Sequence, residues 1–123
     1  MTAPKKAPVL TVEDILSADD LSLITVDVKE WGGAVKIRPF TKRQQQQIRL
    51  AAQKQSQEGE LDVDEFERLV FLAGVVEPEF NENQYNLLME KSAQALDSVI
   101  KRVLEINGMS PEADAETAAS FQG

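Results

Sequence analysis

The chain has no cysteine and no histidine among its 123 residues. Without thiols there is no disulfide framework, no cysteine nucleophile and no thiolate metal site. Without imidazole the most versatile acid–base group and metal ligand is missing too. Carboxylates remain for a hard cation, but a calcium loop needs spaced acids and a glycine that turns the backbone through them. The nearest stretch, ELDVDEFE at 60–67, lacks that glycine. Aromatic residues make up 6% of the chain, with a single Trp and a single Tyr. No apolar run approaches the roughly 20 residues of a membrane-spanning helix. The two lysines of MTAPKKAPVL are not followed by the apolar segment of a secretion signal. No metal and no cofactor is expected, and the cytoplasm is the expected compartment.

What is present suits one small domain: 42% apolar and 28% charged residues can bury one modest core. The net charge of -8 is unevenly spread. Residues 1–57 carry nine Lys and Arg against six Asp and Glu, a balance of +3, and residues 58–123 carry four against fifteen, a balance of -11. Phosphate backbones need a concentrated basic field, so nucleic acid is disfavoured, and a protein or another copy of the chain is the better partner. If the basic set Lys36, Arg38, Lys42, Arg43 and Arg49 meets the acidic set Glu58, Glu60, Asp62, Glu65 and Glu67 of a neighbour, the contact is heterologous and gives rings or open spirals.

Two prolines in the first eight residues and little to bury make 1–10 an expected flexible arm. Thr11 is an N-cap for a short helix with Val12, Ile15 and Leu16 on one face and Glu13 and Asp14 in its first turn. The period then changes to two. ITVDVKE alternates Ile24, Val26 and Val28 with polar residues, and AVKIRPF alternates Val35 and Ile37 with Lys36 and Arg38. With EWGG at 30–33 as the loop, a hairpin over about 23–40 results. It pairs Val28 with Val35, Val26 with Ile37 and Asp27 with Lys36, Gly32 and Gly33 supplying the reversal.

Four helices follow, over about 42–57, 64–76, 82–91 and 93–107. Thr41 caps the first, whose Ile48, Ala51, Ala52 and Gln55 form a thin stripe and whose Gln44 to Gln47 read as a solvated face. Asp62 or Asp64 caps the second. There Phe66, Leu69, Val70 and Ala73 load one face while Phe71, Leu72 and Val75 load another, which marks the central core helix or one whose second face meets a partner. Asn81 caps the third, with Tyr85, Leu88 and Met89 on one side. Ser92 caps the last, where Leu96, Val99, Ile100, Val103 and Leu104 keep the helical spacing until Gly108 stops it. Beyond Ser110 and Pro111, a short helix or frayed tail is expected over 110–123. The fold class is mainly α with a small N-terminal β-hairpin, α+β, its domain spanning 11–109.

The acids lie in turns and helix starts, where capping and solvation explain them, so no catalytic residue is assigned. GGAVKIRP places its cations on a strand, not after a phosphate-cradling loop that opens a helix. Trp31, a lone aromatic at a hairpin tip, is a candidate interface anchor as readily as a core contact, with Phe71, Leu72 and Val75 as further candidate partner contacts.

The ordered series VEDILSADDL, VDVKEWGGAVKIRPFTKRQ and EPEFNENQYNLLMEKSAQALDSVIKRVLEINGMS resembles the tail assembly chaperones of long-tailed bacteriophages and related prophages. The resemblance covers roughly residues 11–112. It is carried by Glu30, Trp31, Gly32, Gly33, Arg38 and Pro39, and by Glu90, Lys91, Ser92, Ala95, Leu96, Asn107, Gly108 and Ser110. The helix after the hairpin is richer in glutamine than is usual there. The resemblance implies a non-catalytic protein, absent from the finished virion, that keeps the tape measure protein soluble and helps the tail tube protein polymerise around it. It also implies, for some members, assembly into spirals and a longer form made by ribosomal frameshifting. The alternatives are a structural head or tail completion protein and a generic acidic protein-binding adaptor.

Overall fold

The computed structural model describes residues 7–54 and 60–110. Among them are five α-helices and three strands, a mixed α+β fold in the order α1 (Val12–Ser17), β1 (Ile24–Val28), β2 (Gly33–Ile37), α2 (Lys42–Lys54), α3 (Val63–Gly74), β3 (Val75–Glu77), α4 (Glu82–Leu88) and α5 (Ala93–Ile106). The expected arm over 1–10 is described only from residue 7, and the expected tail over 110–123 lies outside the described residues from 111 onward.

The helix starts follow local chemistry. Thr11 and Asp14 close a reciprocal capping box on α1, and Asn81 and Gln84 do the same on α4. Thr41 and Gln44 exchange a backbone N–H each in the same way before α2, so the first glutamine of the run is a capping residue. Asp62 accepts from the Glu65 N–H and Ser92 from the Ala95 N–H, which places the starts of α3 and α5. At the far end of α5, Gly108 takes φ 60°, a left-handed stop that costs a Cβ-bearing residue more.

The hairpin forms in a different register from the expected one. Val26 pairs with Val35, Ile24 with Ile37 and Asp27 with Ala34, so Lys36 stands opposite Thr25 and not Asp27. A single 3-10 turn, Lys29–Trp31, makes the reversal. Its end is Gly32 at φ 73°, whose N–H donates to the Lys29 carbonyl at 3.1 Å. One left-handed residue suffices, which frees Gly33 to pair as the first residue of β2. Because the shift moves each partner by two positions, every side chain keeps its face. Ile24, Val26 and Val28 still point inward with Val35 and Ile37.

A third strand extends the hairpin into an antiparallel sheet of order β1-β2-β3. The helical spacing of Val75 with Phe71 and Leu72 suggested that α3 runs to 76. It ends instead at Gly74, because Val75 and Val76 are β-branched and Pro78 disfavours helix in the residue before it. Val75 pairs with Ile37, and the Glu77–Pro78 peptide that follows is cis. The ends of β2 and α3 are tied together. The Arg38 N–H donates to the Gly74 carbonyl at 2.9 Å, and the Arg38 Nε to the Ala73 carbonyl at 3.0 Å, which satisfies acceptors that a helix C-terminus leaves open.

The core lies between the inward face of the sheet, α3 and α5. Phe66, Val70 and Phe71 of α3 are fully buried against Ala95, Leu96, Val99, Ile100, Val103 and Leu104 of α5, the expected stripe in full. Ile48 and Ala52 bring α2 onto α3. Gly74 lets α3 approach α5 closely: a Cβ there would lie 2.5 Å from Val103 Cγ1. Asn107 joins the end of α5 to the β2–α2 connection and the start of α2. Its Oδ1 accepts from the Phe40 N–H at 2.6 Å, its Nδ2 donates to the Val103 carbonyl, and its own carbonyl accepts from Gln45 Nε2. Gln45 is thus held inward, unlike a freely solvated glutamine.

Candidate functional site: an apolar groove at the hairpin tip

The inward face of the sheet stays covered at Val28 and Val35, and its cover thins at the exposed Gly33. Val28 stands opposite Gly33, and a Cβ built at Gly33 would meet nothing within 4 Å. The missing side chain therefore leaves space. The result is an open groove of about 330 Å³ with Val28 and Val35 on the sheet side and Trp31 at the rim. Pro78, Phe80 and Leu88 form the opposite wall. Lys91, in the turn between α4 and α5, is the one charged residue that lines it. A groove of this size accepts side chains from a helix laid across it, not a helix of about 10–12 Å diameter.

Its walls are rigidly backed. Phe80 is held by the buried Phe71 ring at a centroid distance of 5.2 Å and an interplanar angle of 56°. Phe71 also packs on Tyr85 of α4 at 5.4 Å. Trp31 packs partly against the core through the 3-10 turn, which leans on α5. Beside the groove, Leu87 and Met89 flank Leu88 in sequence and are 70% and 59% exposed, so apolar surface continues onto the outside of α4.

Of the four residues expected to meet a partner, only Trp31 is on this surface. Phe71 is wholly buried as the hub of the aromatic cluster. Val75 is 1% exposed, because β3 turns it inward against Ile37. Leu72 is half-buried against the core. The second apolar face of α3 is accounted for by β3, the Pro78–Phe80 segment and α4, which pack on it within the chain.

The charged residues expected to mediate self-assembly have varied local duties. Arg38 caps α3, and Lys36 pairs with Glu77 at 3.4 Å across the β2–β3 edge. Lys42 donates to the Gln45 amide oxygen, Arg43 is exposed, and Arg49 is half-buried on α2. Asp62 caps α3, and Glu65 is clamped by Arg68, which also holds Glu82. Glu60 is exposed, while Glu58 lies outside the described residues. Glu67 is half-buried, and burial, then the nearby carboxylates Asp97 and Asp64, push its pKa above the usual range for a glutamate. Arg38, Asp62 and Glu65 are therefore parts of the fold before they can be parts of an interface.

Sequence reasoning missed the groove because its key position, Gly33, was read as a turn residue. In the observed register Gly33 falls on the inward face, and the gap opposite Val28 follows directly. The sequence places Val12, Ile15 and Leu16 on one face of α1. They are 67%, 56% and 81% exposed, and no residue from 7 to 23 is buried. Among the described residues no group of three or more acids is arranged to hold a metal, and no helix is long and apolar enough to cross a membrane. No protein family model, characterised protein or solved structure was found to match the chain.

Proposed function

We propose that the chain is a non-catalytic phage tail assembly chaperone that holds apolar helical segments of the tape measure protein in the Trp31 groove. The observation that carries this reading is the groove itself: apolar, rigidly backed, and left open by Gly33 at the centre of the hairpin segment that carries the resemblance. Helix-in-groove recognition needs an apolar trough that receives anchors spaced along one helical face. A single groove of this size gives modest affinity per site. Several copies along one long client raise the avidity without a deeper pocket. The acidic excess keeps such a chaperone soluble while its apolar surface is exposed. On this reading it acts in the bacterial host cytoplasm, recruits the tail tube protein, in some copies through a frameshifted longer form, and is absent from the mature virion. It uses neither nucleic acid nor membrane.

Co-expression tests the reading. The tape measure protein should remain soluble and co-purify with the wild-type chain, and should precipitate beside Trp31→Ala or Gly33→Val. The second variant adds a side chain at a lining position of the groove where a Cβ meets nothing within 4 Å. If the client is equally insoluble with and without the wild-type chain, the chaperone reading is wrong. If purified virions contain this chain in stoichiometric amounts, the completion-protein reading replaces it.

A further inference from the structure

β3 covers only part of the strand it pairs with. Its register joins Val75 to Ile37 and Glu77 to Lys36, and the chain then turns away at Pro78 and Glu79. Pro78 has no N–H with which to carry the ladder on. The first three residues of β2, Gly33, Ala34 and Val35, are therefore paired with β1 alone. Hydrogen-bonding groups alternate sides along an antiparallel strand. The Arg38 N–H points to the β3 side, where it donates to the Gly74 carbonyl, so the backbone groups of Lys36 and Ala34 point that way too. Lys36 meets Glu77 there, whereas Ala34 is exposed and no described residue pairs with it on that side. Its N–H and C=O form a short open edge inside the sheet.

A groove lies on each face of this edge. The apolar groove beside Trp31 is on the inward face, where Gly33 and Val35 line it. A second groove, of about 320 Å³, is lined by Thr25, Ala34 and Lys36 on the outward face and by Glu77 and Pro78 across the edge. Ala34, Val35 and Pro78 belong to both. Strand addition uses this arrangement: main-chain bonds hold the incoming segment, and its alternate side chains enter opposite faces.

We propose that the open edge at Ala34 takes an extended segment of a second protein, reading apolar–basic–apolar, as an antiparallel strand. The residue opposite Ala34 exchanges both hydrogen bonds with it and sends its side chain into the outward groove. Its two neighbours, opposite Gly33 and Val35, turn inward toward Trp31 and Phe80, and so must be apolar. The outward residue must be basic for a different reason. Lys36 is already paired with Glu77, while Asp27, opposite Ala34 on β1, shares the outward face and makes no ion pair among the described residues. Glu30, Glu79 and Glu90, exposed and each next in sequence to a residue of the apolar groove, outnumber Lys29 and Lys91. A helix cannot make this contact, since its own backbone groups are bonded internally. The strand site thus goes beyond the helical reading, and the two ligands exclude each other because both need the space beside Trp31.

Hydrogen exchange resolved at the Ala34 amide tests this, with the capped peptide Gly-Thr-Ile-Arg-Ile-Thr-Gly as the probe. Saturating peptide should slow that amide and shift Trp31 emission to the blue. Methylating the backbone nitrogen of the central arginine removes the donor to the Ala34 carbonyl and leaves every side chain in place. It should weaken binding by roughly 3- to 10-fold, the worth of one backbone hydrogen bond. Glutamate in place of that arginine should also weaken binding, by a factor that shrinks as salt rises. Ala34→Pro removes the N–H on the open side, at a position where an edge strand tolerates proline, and should fold by circular dichroism yet bind less. If that variant does not fold, the peptide series decides. An Ala34 amide unaffected by the peptide overturns the proposal, as does an N-methylated peptide that binds equally well. Equal binding of the arginine and glutamate peptides overturns the choice of partner. A helical peptide with apolar anchors separates this site from the chaperone reading. If it shifts Trp31 while the extended peptide does not, the strand site is wrong and the helical one stands.

Discussion

Replacing Gly74 by alanine is the sharpest probe of how α3 meets α5. The added Cβ would lie 2.5 Å from Val103 Cγ1, 3.1 Å from Val103 Cγ2 and 3.4 Å from Phe40 Cζ. Carbon atoms rest at about 3.5–4.0 Å, so the nearest contact is short by about 1 Å. Val103 cannot move aside easily. It is fully buried, and a β-branched residue in a helix has one strongly preferred rotamer. Either α3 or α5 must shift, and overpacking of this kind costs about 1–3 kcal/mol. Alanine returns at most about 1 kcal/mol of helix propensity, less at the last helical position. A net loss of about 1–2 kcal/mol lowers the melting temperature by roughly 5–15 °C in a domain of this size. Thermal unfolding followed by circular dichroism measures it, and a cycle with Val103→Ala isolates the contact. The alanine at 103 makes room for the new Cβ, so the double variant should be more stable than the sum of the single losses implies. An unchanged melting temperature in Gly74→Ala, or strict additivity in the cycle, refutes the close packing described here.

The two adjacent glycines should respond differently. Gly32→Val forces a β-branched residue into φ 73° and should cost about 1–2 kcal/mol in chemical denaturation, whereas Gly33→Val, on a strand with open space beside it, should be close to neutral. Asn107→Ala leaves the Phe40 N–H without its acceptor and the Val103 carbonyl without a donor, and should lower the unfolding free energy by about 1–3 kcal/mol. Glu67 has a raised pKa in the folded state, so the stability linked to it is present at low pH and is lost as pH rises through that value. Glu67→Gln should accordingly melt higher than wild type at pH 7, the difference shrinking as pH falls toward 4. A constant difference across that range would exclude the titration as its cause.

Helices with a long apolar stripe and explicit caps were readable in the sequence. Ser92, the stripe from Leu96 to Leu104, and Gly108 give α5 nearly to the residue, because capping and periodicity agree there. Asn81 placed a further start for the same reason, and of the two candidate caps for α3, Asp62 and Asp64, it is Asp62 that accepts the helix N–H. What escaped was decided by contacts far along the chain. Val75 and Val76 fit a helical pattern with Phe71 and Leu72, and it is pairing with β2 that makes them a strand. The hairpin register depended on which of two neighbouring glycines would take the left-handed conformation, a choice that composition leaves open. That choice carried the candidate site with it, since Gly33 makes a groove only on the inward face of a strand. Phe71 and Val75 looked like surplus apolar surface because Phe80, Tyr85 and Ile37, which cover them, are remote in sequence.

The insertion of α2 and α3 between two neighbouring strands governs how the sheet can assemble. Val28 and Gly33 are five positions apart and meet through a local turn, whereas Ile37 and Val75 are 38 positions apart. Closing the longer loop costs about 2 kcal/mol more chain entropy than closing the shorter one. The β1–β2 hairpin can therefore form early and transiently. The third strand joins across the chain that forms α2 and α3, with the Gly74 carbonyl held by the Arg38 amide. Until it joins, the β3 edge of β2 is bare and the core lacks its sheet wall. The local β1–β2 pairing is thus entropically cheaper to close than the β2–β3 pairing, which spans α2 and α3.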